Sequence, residues 1–283
     1  MSQADIACYT AKTSGRNQLA VYEDGKGSTH RNHSEMRVAA GIRHAIEANR
    51  FHLYAQQIFD LSGREGGQRH FEILLRMLDD AGNVVEPAAF IPASEHYDLM
   101  GSIDRWVIHA AFRRYGSRLL GACDISLAIN LSANSLSDPF LWPLLQEEFT
   151  QSGLSPRRVH FEIAEMAVIN NLTAAQQFIS KARGAGCGVM LDDFGKGLSS
   201  FTHLRQFSVD GLKIDGDFVR QMAQSDVDRT IVESINMVGH RLGAITVAEQ
   251  VENEETLTLL RAIGVDRAQG FVLARPQPLE ALF

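Results

Sequence analysis

Eight short apolar segments, most of them closing on a polar residue and alternating with helical stretches, constrain this chain more tightly than any other feature. The strand candidates are Phe51–Ile58, His70–Met77, Ile125–Leu131, Val159–Ile163, Val189–Asp193, Gly211–Ile214, Ile245–Glu249 and Arg267–Phe271. Amphipathic spacing predicts helices over Ile103–Tyr115, Ala174–Arg183, Val227–Leu242 and Thr256–Ile263, and Ser34 is a fitting N-cap for a helix running to Asn49. Eight strands alternating with helices over about 235 residues fit an α/β fold of the (β/α)8 barrel type in both length and order. A doubly wound open sheet is the alternative, but no GxGxxG follows the first strand.

The polar residues fall where such a barrel would gather them. Glu72 and Arg76 are four apart in one strand, so a period of two puts them on one face. Asn130, Glu162, Asp192-Asp193 and Glu249 close their strands; Lys213 and Asp215 share a face, and Gln269 lies in the eighth. A barrel brings these ends to one mouth, where sites of this fold are built. Carboxylates crowded there repel one another and must protonate unless cations balance them. Oxygen donors without clustered His or Cys suit magnesium or manganese better than zinc. The Asp192-Asp193 pair can serve two ions, and two metals about 4 Å apart suit in-line displacement at phosphorus. Lys213 and Arg76 add positive charge for a phosphodiester. Taken singly, each residue has a plainer reading: a solvated strand end, a capped turn, a lysine stem over apolar neighbours. The ordered set does not.

Composition narrows the partners. The chain has 34 acidic and 27 basic residues, a net charge of −7, which excludes broad binding to duplex nucleic acid. Cys8, Cys123 and Cys187 form no CxxC pair and are expected to be small buried residues in a reducing cytosol. No apolar run has the ~18 residues of a membrane span, and the polar start is not a secretory signal, so the expected location is cytoplasmic.

Two stretches resemble known families. Ala4-Asp5, Ala7, Tyr9, Ala11-Lys12 and Gly15-Arg16-Asn17 are similar to the C-terminal end of GGDEF diguanylate cyclase domains, without that family's glycine-rich signature. Residues 1–22 are therefore expected to be a GGDEF remnant, 23–33 a polar glycine-containing linker, and 34–283 the barrel. Over Arg37 to Phe283 the chain resembles EAL domains, bacterial phosphodiesterases acting on cyclic di-GMP. The resemblance is carried by Glu72-Ile73-Leu74-Leu75-Arg76, Phe90-Ile91-Pro92-Ala93-Ser94-Glu95, Asn130-Leu131-Ser132 and Phe161-Glu162-Ile163-Ala164-Glu165. It continues through Asp192-Asp193-Phe194-Gly195-Lys196-Gly197-Leu198-Ser199-Ser200, Leu212-Lys213-Ile214-Asp215, Ala248-Glu249-Gln250-Val251-Glu252 and Gln269-Gly270-Phe271.

The resemblance implies a modified TIM-like barrel whose first strand is antiparallel. It implies Glu72, Asn130, Glu162, Asp192, Asp193 and Glu249 as metal ligands for two magnesium or manganese ions, with calcium inhibitory. Lys213 would position or activate the attacking water, and Gln269 would hold the nucleophile region. Gln56, Arg76 and Asp215 would contact substrate, while Glu165 and Glu252 would anchor the loop after the fifth strand, Glu252 thereby bearing on catalysis. The implied reaction opens cyclic di-GMP to linear 5'-pGpG in a homodimer controlled by an upstream GGDEF domain. A catalytically silent cyclic di-GMP receptor is the alternative, and a barrel enzyme for another phosphorylated metabolite is a third reading. The chain departs from the family pattern at Ile73, Gln57, Lys196, Leu198 and Gln250; the last places a side chain beside Glu249.

Overall fold

The computed structural model describes residues 38–39, 41–63, 67–79, 81–197 and 207–283. The expected GGDEF remnant, the linker, Cys8 and the Ser34 cap lie outside them.

Strands β1 (Phe51–Asp60) and β2 (Arg69–Leu78) pair antiparallel from Phe51↔Met77 to Ile58↔His70. Residues 61–68, which join them, are too few for the crossover that parallel neighbours require, so the first strand must run against the second. A two-residue strand, β3 (Val84–Val85), edges β2. Then β4 (Ile125–Leu131), β5 (Val159–Ala164), β6 (Gly188–Phe194), β7 (Gly211–Ile214), β8 (Ile245–Ala248) and β9 (Arg267–Ala268) follow in parallel register from β2 onward. Strand β9 returns to β1, antiparallel, through Phe59↔Ala268 and closes an eight-stranded barrel; β10 (Gln277–Pro278) lies outside on β1.

Two expected elements differ. The eighth strand was expected to reach Phe271 but ends at Ala268, because Gly270 packs onto the backbone of Val251: a Cβ there would come 2.1 Å from the Val251 carbonyl oxygen. The helix expected over Ile103–Tyr115 is an α-helix over Met100–His109 that widens into a π-helical turn at Ala110–Arg114. There Arg113 reaches the fully buried Glu148 at 2.6 Å, and His109 reaches it at 2.7 Å. Cys187 is buried as expected, whereas Cys123 is exposed in the turn before β4. Among the described residues no helix is long and apolar enough to cross a membrane.

Because successive strand side chains alternate, the barrel interior forms layers. The floor is an apolar plug of Ile58, Met190 and Val247, beside His70, Ser126, His160 and Arg267. Two residues further along come Gln56, Glu72, Glu162 and Asp192 on their strands and Glu249 and Gln269 just past the ends of β8 and β9. The floor histidines are held neutral. Burial, helped by Arg267 and His160, lowers His70 to about 3, and burial and Arg267 lower His160. His70 pairs through Nδ1 with Ser126 Oγ at 2.5 Å.

This floor predicts an acid-sensitive fold. Above pH 6.5 both rings are neutral in the folded and unfolded chain and nothing is lost. Below it the unfolded chain gains protons that the folded one refuses, so stability falls as pH drops. By pH 5 the loss is about 1–2 kcal/mol after discounting partial exposure. Urea midpoints at pH 7.5 and 5 should separate less in a His70→Gln/His160→Gln variant than in the parent. Equal separation in both would contradict the account.

Candidate active site

Five strands deliver one charged residue each to a common point. Lys213 on β7 has no solvent exposure, and its Nζ lies 2.8 Å from Glu162 Oε2 (β5) and 3.2 Å from Glu72 Oε2 (β2). It also lies 3.1 Å from Asp192 Oδ1 (β6) and 2.8 Å from Glu249 Oε1, just past β8. Register explains the convergence: Asn130 faces Glu162 across β4–β5, and Gln56 faces Glu72 across β1–β2.

One ammonium cannot balance four carboxylates. Burial pushes Glu162 well above the usual carboxylate range against the pull of Lys213, with Glu72 and Asp192 adding to the push. Burial takes Glu249 up to about 8 in the same way. Lys213 is itself held above the ordinary lysine value, since its carboxylate neighbours outweigh the burial that would lower it.

Neutral side chains brace the cage. Asn130 Nδ2 donates to Glu72 Oε1 at 2.8 Å, leaving its Oδ1 as the atom able to take a cation. Gln269 Nε2 donates to Glu72 Oε2 at 2.8 Å and to Gln56 Oε1 at 3.0 Å, and Gln56 Nε2 donates to the Ala274 carbonyl at 2.9 Å. Asp104, to which the sequence reading gave no role, pins the turn after Asn130. It accepts from the Ser132 N–H at 2.8 Å and from the Ser132 and Ser135 hydroxyls at 2.6 Å.

The Asp192-Asp193 pair breaks the alternation that a regular strand would impose. The β6–β7 register shifts between Leu191 and Phe194, and Asp193 takes φ 52°. This bulge lets consecutive aspartates serve the same mouth. Asp193 faces a second cationic centre: Lys196 Nζ lies 3.5 Å from its Oδ1 and 2.5 Å from Asp215 Oδ2. Asp215 is fully buried, and its Oδ1 accepts from the Asp217 N–H at 2.8 Å, capping helix Gly216–Gln221. Burial alone would raise Asp215; its bonds to Lys196 and to that backbone N–H hold it below the ordinary value.

The other expected site residues lie at the rim. Arg76 stacks on Tyr54 at 5.4 Å and pairs with Glu86 at 3.0 Å. Glu165, buried, accepts the Gly195 N–H at 2.9 Å. Glu252 is exposed on the wall of an open cavity of about 310 Å³ that also includes Gln56, Glu72, Glu249 and Gln269. Its expected partners Ser199 and Ser200 lie outside the described residues. Phe271, also without an assigned role, is half-exposed on that wall with the Arg275 guanidinium 4.6 Å from its ring centroid. An aromatic placed directly after Gln269-Gly270 was the available signal. Gln250 takes φ 52°, a conformation rare for a residue with a side chain, and lies against Gly216.

The donor set fits hard divalent cations. Seven carboxylates, from Glu72, Glu162, Asp192, Asp193, Asp215, Asp217 and Glu249, face two ammonium groups, so an excess of negative charge is left for divalent ions to balance. Glu162 Oε1 is buried without a hydrogen-bond partner. No three acidic, histidine or cysteine side chains among the described residues enclose a ready cation point, because Lys213 takes the centre.

The EAL domain family model matches residues 39–276, and the chain belongs to that family. It is 38% identical over 279 residues, 99% of its length, to the cyclic di-GMP phosphodiesterase PdeB of Shewanella oneidensis. It is 32% identical over 84% of its length to the cyclic di-GMP phosphodiesterase PdeF of Escherichia coli. The chain spans about a third of the length of these curated relatives. Among solved structures, the PaMucR phosphodiesterase in complex with c-di-GMP superposes with a TM-score of 0.80 at 30% identity, covering 87% of this chain and all of that one. The FimX EAL domain of Pseudomonas aeruginosa bound to c-di-GMP gives 0.78 at 30% identity, over 85% of this chain and 96% of that one.

The cage makes one prediction without any cation. Lys213→Met strands the four carboxylates gathered around it, two of them buried, and should cost about 3 kcal/mol or more at pH 7 in chelator. The loss should shrink as the pH falls, because burial already raises Glu162 and Glu249 toward the protonated form. A urea midpoint unchanged at pH 7 would contradict the geometry.

Proposed function

We propose that this chain hydrolyses cyclic di-GMP to linear 5'-pGpG with two magnesium or manganese ions, as the phosphodiesterase module of a longer protein. The observation that carries the reading is the excess of carboxylate over ammonium at the barrel mouth, which suits divalent cations and a phosphodiester together. The names of the relatives and their bound ligand support the substrate. A relative matched over 99% of this chain but 32% of its own length supports reading the chain as a module of a longer protein, and the residue pattern over 1–22 is the ground for proposing the tail of an upstream GGDEF domain there.

Glu72, Asn130, Glu162, Asp192, Asp193 and Glu249 would hold the ions. When bound, these supply charge neutralisation at phosphorus and lower the pKa of water there. Lys213 would orient the attacking water and offset charge that develops only in the transition state. Gln269 fixes Glu72 and Gln56 so that neither carboxylate nor amide swings from the reacting centre. Gln56, Arg76 and Asp215 would meet the substrate, and Phe271 offers an aromatic face on which a guanine can stack. Glu165 and Glu252 would steady the loop after β6.

Incubation with cyclic di-GMP and magnesium, with products resolved chromatographically, should yield the linear dinucleotide. Glu72→Ala should lose more than tenfold of the rate, about 1.4 kcal/mol of barrier. Calcium in place of magnesium should leave less than about a tenth of the activity, because it takes looser, higher coordination. Binding of cyclic di-GMP with no linear product over hours would overturn the enzyme reading in favour of the receptor.

A further inference from the structure

Lys196 sits on the acidic side of the mouth, apart from the Lys213 cage. Its Nζ is 2.5 Å from Asp215 Oδ2, 3.5 Å from Asp193 Oδ1 and 3.9 Å from Asp217 Oδ2. The backbone on both sides is fixed. Glu165 Oε2 accepts the N–H of Gly195 at 2.9 Å and that of Gly197 at 3.5 Å. A Cβ at Gly195 would come 2.8 Å from the Phe218 ring, and one at Gly197 would come 2.6 Å from Glu165 Oε1. The two glycines therefore let the chain lie close against Phe218 and Glu165, and the one long side chain between them reaches Asp215.

Half of the Lys196 side chain remains exposed, so it can leave its partners for solvent without burying its charge. Asp215 is different: it is buried, and without Lys196 its Oδ2 loses the ammonium that balances it. Lys196 thus occupies, by a tether, the position of positive charge that Asp193 would otherwise offer to an ion from solution.

We propose that Lys196 is an intramolecular competitor of the divalent cation at Asp193. The proposal rests on the metal-dependent reading above. Its ammonium balances the Asp193–Asp215 side of the mouth in the cation-free chain, and an ion entering that side displaces it. The Glu72–Glu162 side sets four carboxylates against one ammonium and the Asp193 side three against one, so the Asp193 side binds its ion more weakly and fills second as the cation concentration rises. In solution this makes full occupancy, and with it turnover, depend on the divalent cation level at which Lys196 is driven off.

The test is manganese binding to the full chain, measured by titration calorimetry without substrate, for the parent, Lys196→Met and Lys196→Arg. Methionine keeps the apolar stem and removes the charge; arginine keeps the charge. The parent should take up two ions with unequal affinity. Lys196→Met should tighten the weaker site about tenfold, the scale of one charge-assisted contact, and change the tighter one less than about twofold. Lys196→Arg should keep the weaker site weak. A weaker site that is unchanged or further weakened in Lys196→Met, or both sites shifted equally, overturns the proposal while leaving the metal-dependent reading standing. Failure of all three proteins to bind two ions overturns both.

Discussion

The contact on which the rest depends is a single buried ammonium shared by four carboxylates. Lys213 ties β2, β5, β6, β7 and the end of β8 to one point inside the barrel. A buried charge cluster of this kind is a poor way to gain stability, since well-packed apolar side chains of similar volume do as well or better. The barrel floor shows that this chain can build an apolar plug, from Ile58, Met190 and Val247, one layer below. The charged layer is therefore best understood through what it does at the mouth. It keeps acidic oxygens close enough to share cations while one fixed positive charge prevents their mutual repulsion from opening the barrel.

Much of this was legible in the sequence because a strand has a period of two. Glu72 with Arg76, and Lys213 with Asp215, could be put on shared faces from spacing, and the strand-end positions of Asn130, Glu162, Asp192-Asp193 and Glu249 sent them to one mouth once the sheet closed. What spacing cannot carry is conformation that breaks the period. The positive φ at Asp193, which brings both aspartates to the mouth, leaves no trace in an apolar-polar pattern. Asp104 was invisible for another reason: it acts on Ser132 across 28 residues and reads locally as an ordinary helix acid. The eighth strand was drawn too long because its apolar run continues after Gly270 has turned the backbone onto Val251. Cys123 was expected to be buried on residue type, yet it lies in the exposed turn that leads into β4.

The two lysines divide the mouth into halves of different character. Lys213 is sealed, reached by four strands and held by burial as much as by charge. Lys196 is on a loop, half-exposed, and fixed through its neighbours' backbone rather than through its own packing. Glu165 links the halves, since it begins the helix that follows β5 and also grips the loop that follows β6. A change that moves this helix would reach Lys196 before it reached the cage.

The proposed function makes the carboxylate cage a cation site closed by its own lysine. Crystals of the chain grown with manganese, measured at the manganese absorption edge, test it most directly. The account predicts anomalous density among the oxygens of Glu72, Glu162, Asp192 and Glu249, with Lys213 Nζ drawn away from at least one of them. An intact four-carboxylate contact to Lys213, with no manganese at the mouth at millimolar concentration, would contradict it.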